Sequence, residues 1–188
     1  MLVKFFSDRI NNNPNLSLSQ DELNIMRDLY LELANNSSLE SMDDYVQHGN
    51  TSTLLHSVAV AHFSYLFAKA FRIKVDAQSL IIGALLHDYY LYDWHVYDSS
   101  HSLHGFRHPF TSLRNAKKIR KLNSIEENII VRHMFPLIPI PPVYRESLIV
   151  CLVDKICSLY ETFSRQPYRD LSCEALVLKT QKQISANI

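Results

Sequence analysis

Apolar positions recur at helical spacing along most of this chain. Leu23, Met26, Tyr30 and Leu33 define one face of a first helix. The preceding Ser19-Gln20-Asp21-Glu22 has the form of a capping box, Ser followed three residues later by Glu. Asn11 to Asn15, which includes Pro14, reads as a turn or linker, and Asn35-Asn36-Ser37-Ser38 ends the helix. A second helix is predicted from Thr53 to Phe71, with Leu55, Val58, Ala59, Phe63, Leu66, Phe67 and Ala70 as a wide apolar face. Asp76 is placed to cap a third, which carries the uncharged run Leu80-Ile81-Ile82-Gly83-Ala84-Leu85-Leu86 and ends near His87-Asp88.

From Tyr89 to Arg107 no period is sustained, so a long loop is expected, a kind of segment often used for function. His108-Pro109 then predicts a helix start, with Pro at the first helical position. Ser124-Ile125-Glu126-Glu127 reads as a second capping box opening a short helix that closes at His133. Pro136, Pro139, Pro141 and Pro142 make Met134 to Pro142 a stiff turn. A last strong helix is predicted from Tyr144 to Phe163, and a weaker one from Cys173 to Gln183. There are no repeats, no low-complexity tracts and no strand pairs joined by hairpin turns. The expected fold class is all-α, a compact multi-helix bundle. The expected organisation is an N-terminal helical extension (1–44), a central domain (45–165) and a C-terminal tail (166–188).

Composition narrows the chemistry. The 188 residues carry 19 basic and 19 acidic side chains, so no basic excess points to nucleic acid as a partner. Only three glycines are present, and neither a Walker loop nor a dinucleotide fingerprint can be written. Cys151, Cys157 and Cys173 form an odd set without a CxxC, which predicts reduced thiols and a cytoplasmic location. No signal peptide is visible between Met1 and Ile10. No apolar run reaches the roughly 18 residues of a membrane span, so no membrane partner is expected.

The His87-Asp88 pair stands out against this background. It closes a run that should be buried, and a buried titratable pair needs partners. Other helix-like segments each offer a ligand-type group: His56, His108, His133 and Asp154. Ligands projecting inward from facing helices are how helical proteins build metal centres. Imidazole and carboxylate together suit a borderline or hard divalent ion. His104 competes with His108 for one of these places, and Pro109 favours His108. His48 reads either as a turn cap or as a support to the site. His62 points to another helix face, and His95 and His101 read as solvated loop residues. Lys117, Lys118, Arg120 and Lys121 read as a solvated helix face.

The order His56, His87-Asp88, Asp154 resembles the HD-domain superfamily of metal-dependent phosphohydrolases, whose pattern is His, His-Asp, Asp. The local contexts agree: Leu55-His56-Ser57-Val58-Ala59-Val60-Ala61, Ala84-Leu85-Leu86-His87-Asp88 and Leu152-Val153-Asp154-Lys155. The resemblance runs from about Tyr45 to Thr162. His108 and His133 resemble the two extra histidines of binuclear members, such as the dinucleoside polyphosphate hydrolases and the cyclic-dinucleotide HD-GYP group. Asp88 is followed by Tyr89-Tyr90-Leu91-Tyr92-Asp93-Trp94-His95, not by the HD-GYP signature.

The resemblance implies one or two divalent transition metals. Mn or Fe fits best, with Mg, Zn, Co or Ni as alternatives. The implied ligands are His56, His87, Asp88, His108, His133 and Asp154, with Asp88 bridging. It further implies an enzyme that hydrolyses a phosphoester or phosphoanhydride bond of a nucleotide or similar small phosphorylated molecule by metal-activated water. Asp88 and Lys155 are the expected catalytic residues. Arg107, Arg132, His104, Tyr89 and Trp94 are the expected substrate contacts. The alternative is a metal-dependent nucleotide-binding or sensor module with little turnover. The oligomeric state is left open.

Overall fold

A computed structural model describes residues 17–96, 103–164 and Tyr168. The predicted turn at 11–15, His101, Cys173 and the predicted 173–183 helix lie outside the described residues. The described chain is mostly helical, as its periodicity predicts.

Helix α1 spans Gln20–Asn35. Its capping box forms as read: Ser19 N donates to Glu22 Oε2 at 2.6 Å, and Glu22 N donates to Ser19 Oγ at 3.3 Å. Asn36 and Ser37 satisfy the last carbonyls by donating to Glu32 O and Leu33 O, which stops the helix. Tyr30 and Leu33 join the same core as the later helices. A short 3-10 helix, Leu39–Asp44, then buries Leu39 and Met42.

A small antiparallel hairpin follows, β1 (Val46–His48) paired with β2 (Thr51–Ser52). The hydrophobic pattern predicts no such pair. The signal was Gly49-Asn50, a short turn dipeptide between strands of only a few residues. Gly49 has φ +57°, and a Cβ there would lie 2.6 Å from Glu161 O. Both the left-handed backbone and the close approach to the last helix require glycine. The hairpin thereby seats Gln47 and His48 beside that helix.

Helix α2 spans Thr53–Ala70, with Leu55 N donating to the capping Ser52 Oγ. Helix α3 spans Ala77–Leu86, and Ser79 N donates to Asp76 Oδ1 at 2.9 Å, the predicted cap. Every residue of α3 from Ser79 to Leu86 is buried. A helix apolar all round must lie inside the fold, and α3 packs between α2 and the later helices.

Helix α4 spans His104–Ile119 and begins one turn before the predicted start. Pro109 therefore sits inside the helix, not at its first position. Leu103, at φ 60°, makes the entry in the left-handed region. Pro109 is the sixth residue of the helix and has no N–H to donate to Gly105 O, so that carbonyl goes without its usual intrahelical bond.

Helix α5 spans Ser124–Arg132, and its cap is one residue earlier than read. Asn123 Oδ1 accepts from Ile125 N and Glu126 N, and Glu126 Oε2 accepts from Asn123 N. Helix α6 spans Arg145–Phe163 after a proline-rich turn. Helices α2, α3, α5 and α6 enclose one core, with Ile81, Ile82, Ile129, Ile130, Val150 and Val153 at its centre. No helix among the described residues is long and apolar enough to cross a membrane.

Candidate metal centre

Five helices deliver the site, three from within and two from their C-terminal ends. His56 sits in the first turn of α2. His87 caps the C-terminus of α3, and Asp88 follows it. His108 comes from α4, His133 caps the C-terminus of α5, and Asp154 lies mid-way along α6. All six are buried, with His56 and His87 fully so. They converge as two triads, His56–His87–Asp154 and Asp88–His108–His133, each close enough to share one ion.

The two carboxyl oxygens of Asp88 face different triads. Oδ1 is 3.2 Å from His108 Nε2 and 3.6 Å from His133 Nε2. Oδ2 is 3.4 Å from His87 Nε2 and 3.8 Å from His56 Nε2. Asp154 Oδ1 lies 3.1 Å from His56 Nε2 and 3.7 Å from His87 Nε2.

Each imidazole is held from behind through Nδ1. His87 donates to Ala84 O at 2.7 Å, His108 to His104 O at 2.8 Å and His133 to Ile130 O at 2.8 Å. His56 Nδ1 meets both oxygens of Glu161 at 2.9 Å. With Nδ1–H donating in this way, each ring in its neutral form turns an Nε2 lone pair inward. His108 Nε2 and His133 Nε2 then face each other at 2.8 Å, acceptor against acceptor. Such an approach is attractive only with a proton or a cation between the nitrogens. His87 Nε2 and Asp88 Oδ1 are buried with no hydrogen-bond partner among the described residues. An ion or a water at this position would satisfy both atoms. With its imidazole nitrogens and carboxylate oxygen, each triad could hold a metal ion.

Charge points the same way. Asp88, Asp154 and Glu161 are buried, and Lys155 Nζ is a cation beside them, 3.6 Å from Asp154 Oδ2. In the metal-free protein, protons stand in for the ions. Burial opposes a charge on His56, but Glu161 and Asp154 outweigh it and hold its pKa well above the ordinary histidine value. Burial is likewise outweighed at His87, chiefly by Asp88, so its pKa is also raised. Burial would raise both Asp88 and Asp154, yet the facing histidines hold both well below the usual carboxylate range. His133 goes the other way: burial, together with His87, pushes it down to about 3. Burial alone lowers His62 to about 4, and it is the main cause lowering His48.

These directions give a testable pH profile for the metal-free protein. His56 and His87, raised in the fold, contribute stability below about pH 6.5, the unfolded value, that is lost as pH rises above it. His133, His62 and His48, lowered in the fold, lose stability as pH falls below about 6.5. The melting temperature of the chelator-treated protein should therefore peak near pH 6.5 and fall on both sides. Added metal should move the peak upward, because it binds the deprotonated imidazoles. Thermal melts from pH 4 to 9, with and without metal, check this; a metal-free curve rising steadily to pH 9 would contradict it.

The triads open into a cavity of about 710 Å³. Gln47, His48, Asp88, Trp94, His104, His108, His133, Met134, Asp154, Lys155 and Ser158 are among its lining residues. Trp94, His104 and His108 form a column of stacked rings, with centroids 5.2 and 4.4 Å apart, that leads from the cavity wall to the second triad. Of the expected substrate contacts, Trp94 and His104 line the cavity. His104 Nδ1 pairs with Tyr92 Oη at 2.9 Å, and His104 stands outside the triads.

Tyr89, Arg107 and Arg132 are not among the cavity-lining residues. Tyr89 is a buried core residue whose hydroxyl accepts from Ser38 N at 3.1 Å. Arg107 is exposed on α4 and Arg132 is half-buried on α5, each turned by about 100° from its inward neighbour. Cys151 and Cys157 are buried free thiols.

Two supporting residues were missed in the sequence. Gln47 Nε2 donates to Asp88 Oδ2 at 2.5 Å, and Tyr90 Oη donates to Gln47 Oε1, which fixes the direction of the amide. No sequence signal marked Gln47, since its hairpin went unread. Glu161 did have a signal: it lies seven residues after Asp154, two turns along the same face of α6.

The chain matches no protein-family model, no curated protein and no solved structure.

Proposed function

We propose that this chain is a metal-dependent phosphohydrolase of the HD-domain type, acting on a phosphoester or phosphoanhydride bond of a nucleotide or similar small phosphorylated molecule. The observation that carries this reading is the position of Asp88, one oxygen toward each of two histidine-containing triads. A bridging carboxylate between two sites at the floor of a cavity is the arrangement that a binuclear hydrolase uses. His56, His87 and Asp154 would hold one ion, His108 and His133 the other, and Asp88 both. Mn or Fe suits the mixed nitrogen and oxygen donors. When bound, such ions supply an acidified water at neutral pH and offset charge on a phosphoryl oxygen.

The chain's own groups do the rest. Glu161 and the carbonyls of Ala84, His104 and Ile130 hold the imidazoles in register. Gln47 holds Asp88. Lys155 Nζ lies at the cavity wall, tethered to His133 O at 2.5 Å and Cys151 O at 3.2 Å. From there its ammonium can hold a phosphate oxygen. Trp94 and His104 offer flat rings to a base, and Met134, Pro136 and Leu137 give an apolar wall that limits water.

The test is phosphate release from nucleotides and dinucleoside polyphosphates by the Mn- or Fe-loaded protein. Turnover is expected, and Lys155→Ala should raise KM roughly 10- to 100-fold, the worth of one charge-assisted hydrogen bond, without changing metal content. Metal loss in that variant would make Lys155 a structural support instead. Tight nucleotide binding without turnover would favour a sensor over an enzyme.

A further inference from the structure

The two triads are built from the same residue types, but what stands behind them differs. His87, His108 and His133 each donate Nδ1–H to a backbone carbonyl a turn earlier in the chain, at 2.7 to 2.8 Å. Those acceptors are neutral and orient the ring without adding charge. His56 is different. Its Nδ1 meets both oxygens of Glu161, a fully buried side chain on α6, and Glu161 Oε1 also accepts from Tyr168 Oη at 2.7 Å. A carboxylate behind a ligating imidazole increases the basicity of the ring and brings negative charge near the cation. The His56 triad also has a carboxylate of its own, Asp154, whereas Asp88 is shared by both.

We propose that Glu161 is a positioning residue that makes His56–His87–Asp154 the tighter of the two metal sites, so that the ions load in order. The first ion occupies this triad and stays; the second occupies the His108–His133 side and exchanges with the free metal. The inference rests on the two-ion reading above. It makes second-site occupancy, set by free metal concentration, the control point for turnover.

The experiment is a titration of the metal-free full-length protein with Mn(II) in a chelator-buffered series. Bound metal is counted at each point, and electron paramagnetic resonance separates an isolated ion from a coupled pair. The wild type should bind in two steps separated by about tenfold or more in free Mn(II), with the isolated-ion signal appearing first. Glu161→Gln should weaken the first step roughly 10- to 100-fold and leave the second nearly in place, so that the steps merge. Glu161→Asp should restore part of the separation. Should Glu161→Gln fail to fold, Tyr168→Phe replaces it, with a smaller weakening of the same step expected.

Two ions entering the wild type in one unresolved step would overturn this inference while leaving the binuclear reading intact. So would a first step unmoved by Glu161→Gln. A wild type that binds no Mn(II) would overturn both.

Discussion

Asp88→Ala is expected to lower turnover by on the order of a thousandfold, which corresponds to several kcal/mol of lost charge stabilisation in the transition state. Among the described residues Asp88 is the one carboxylate that reaches both triads, with Oδ1 at 3.2 Å from His108 Nε2 and Oδ2 at 3.4 Å from His87 Nε2. Removing it leaves the second triad with two imidazoles only. Those two nitrogens already face each other at 2.8 Å, so without a carboxylate there is no anionic partner for a cation there. The variant should therefore bind at most one ion per chain, and that one more weakly. Activity at saturating metal and metal counted per chain give the two readouts. Unchanged metal content would remove Asp88 from the bridging role.

Gly83→Val is expected to destabilise the fold by about 3 kcal/mol or more, the upper range for overpacking a filled core. A Cβ at Gly83 would lie 2.5 Å from Ile129 Cδ1 and 2.9 Å from Ile129 Cβ. A new rotamer can move Cδ1 but not Cβ, so α3 and α5 must separate. For a chain of this size the melting temperature should fall by roughly 6–12 °C. The effect should reach the site, because Gly83 is one turn before His87 and Ile129 is one turn before His133. The contact of these helices sets the 4.9 Å separation of the two histidine rings. A thermal melt gives the stability loss, and metal content should fall with it. A variant with wild-type melting would show that the helices do not meet closely at this point.

These two predictions also show which parts of the molecule could be read in the chain. The apolar run from Leu80 to Leu86 announced a buried helix, and Asp76 announced its start, because both are local patterns. The six ligand-type residues were legible for the same reason: each ends, opens or interrupts a helical segment where a titratable group is out of place. The choice of His108 over His104 was harder, since the two lie four residues apart on one helix face. In the structure His108 joins the triad while His104 stacks on it and bonds to Tyr92.

What could not be read depends on contacts between distant segments. Glu161 meets His56 across 105 positions, and Gln47 meets Asp88 across 41. The hairpin at Gly49 is too short to carry an alternating pattern, so only its turn dipeptide marked it. Arg107 and Arg132 looked suited to phosphate because they adjoin ligands in sequence. Neither lines the cavity, whereas Lys155, which also adjoins a ligand on a helix, does, so adjacency in sequence does not decide which side chain reaches the site. The shifted cap at Asn123 reflects two adjacent residues that can both cap, of which Asn123 reaches both N–H groups.

Every role proposed above depends on metal bound in the two triads. The most direct test of that binding is metal content per chain by plasma mass spectrometry, on protein purified without chelator or His-tag and then supplied with Mn or Fe under reducing conditions. About two transition-metal ions per chain are expected, one for each triad. No bound metal under those conditions would contradict metal binding by the triads.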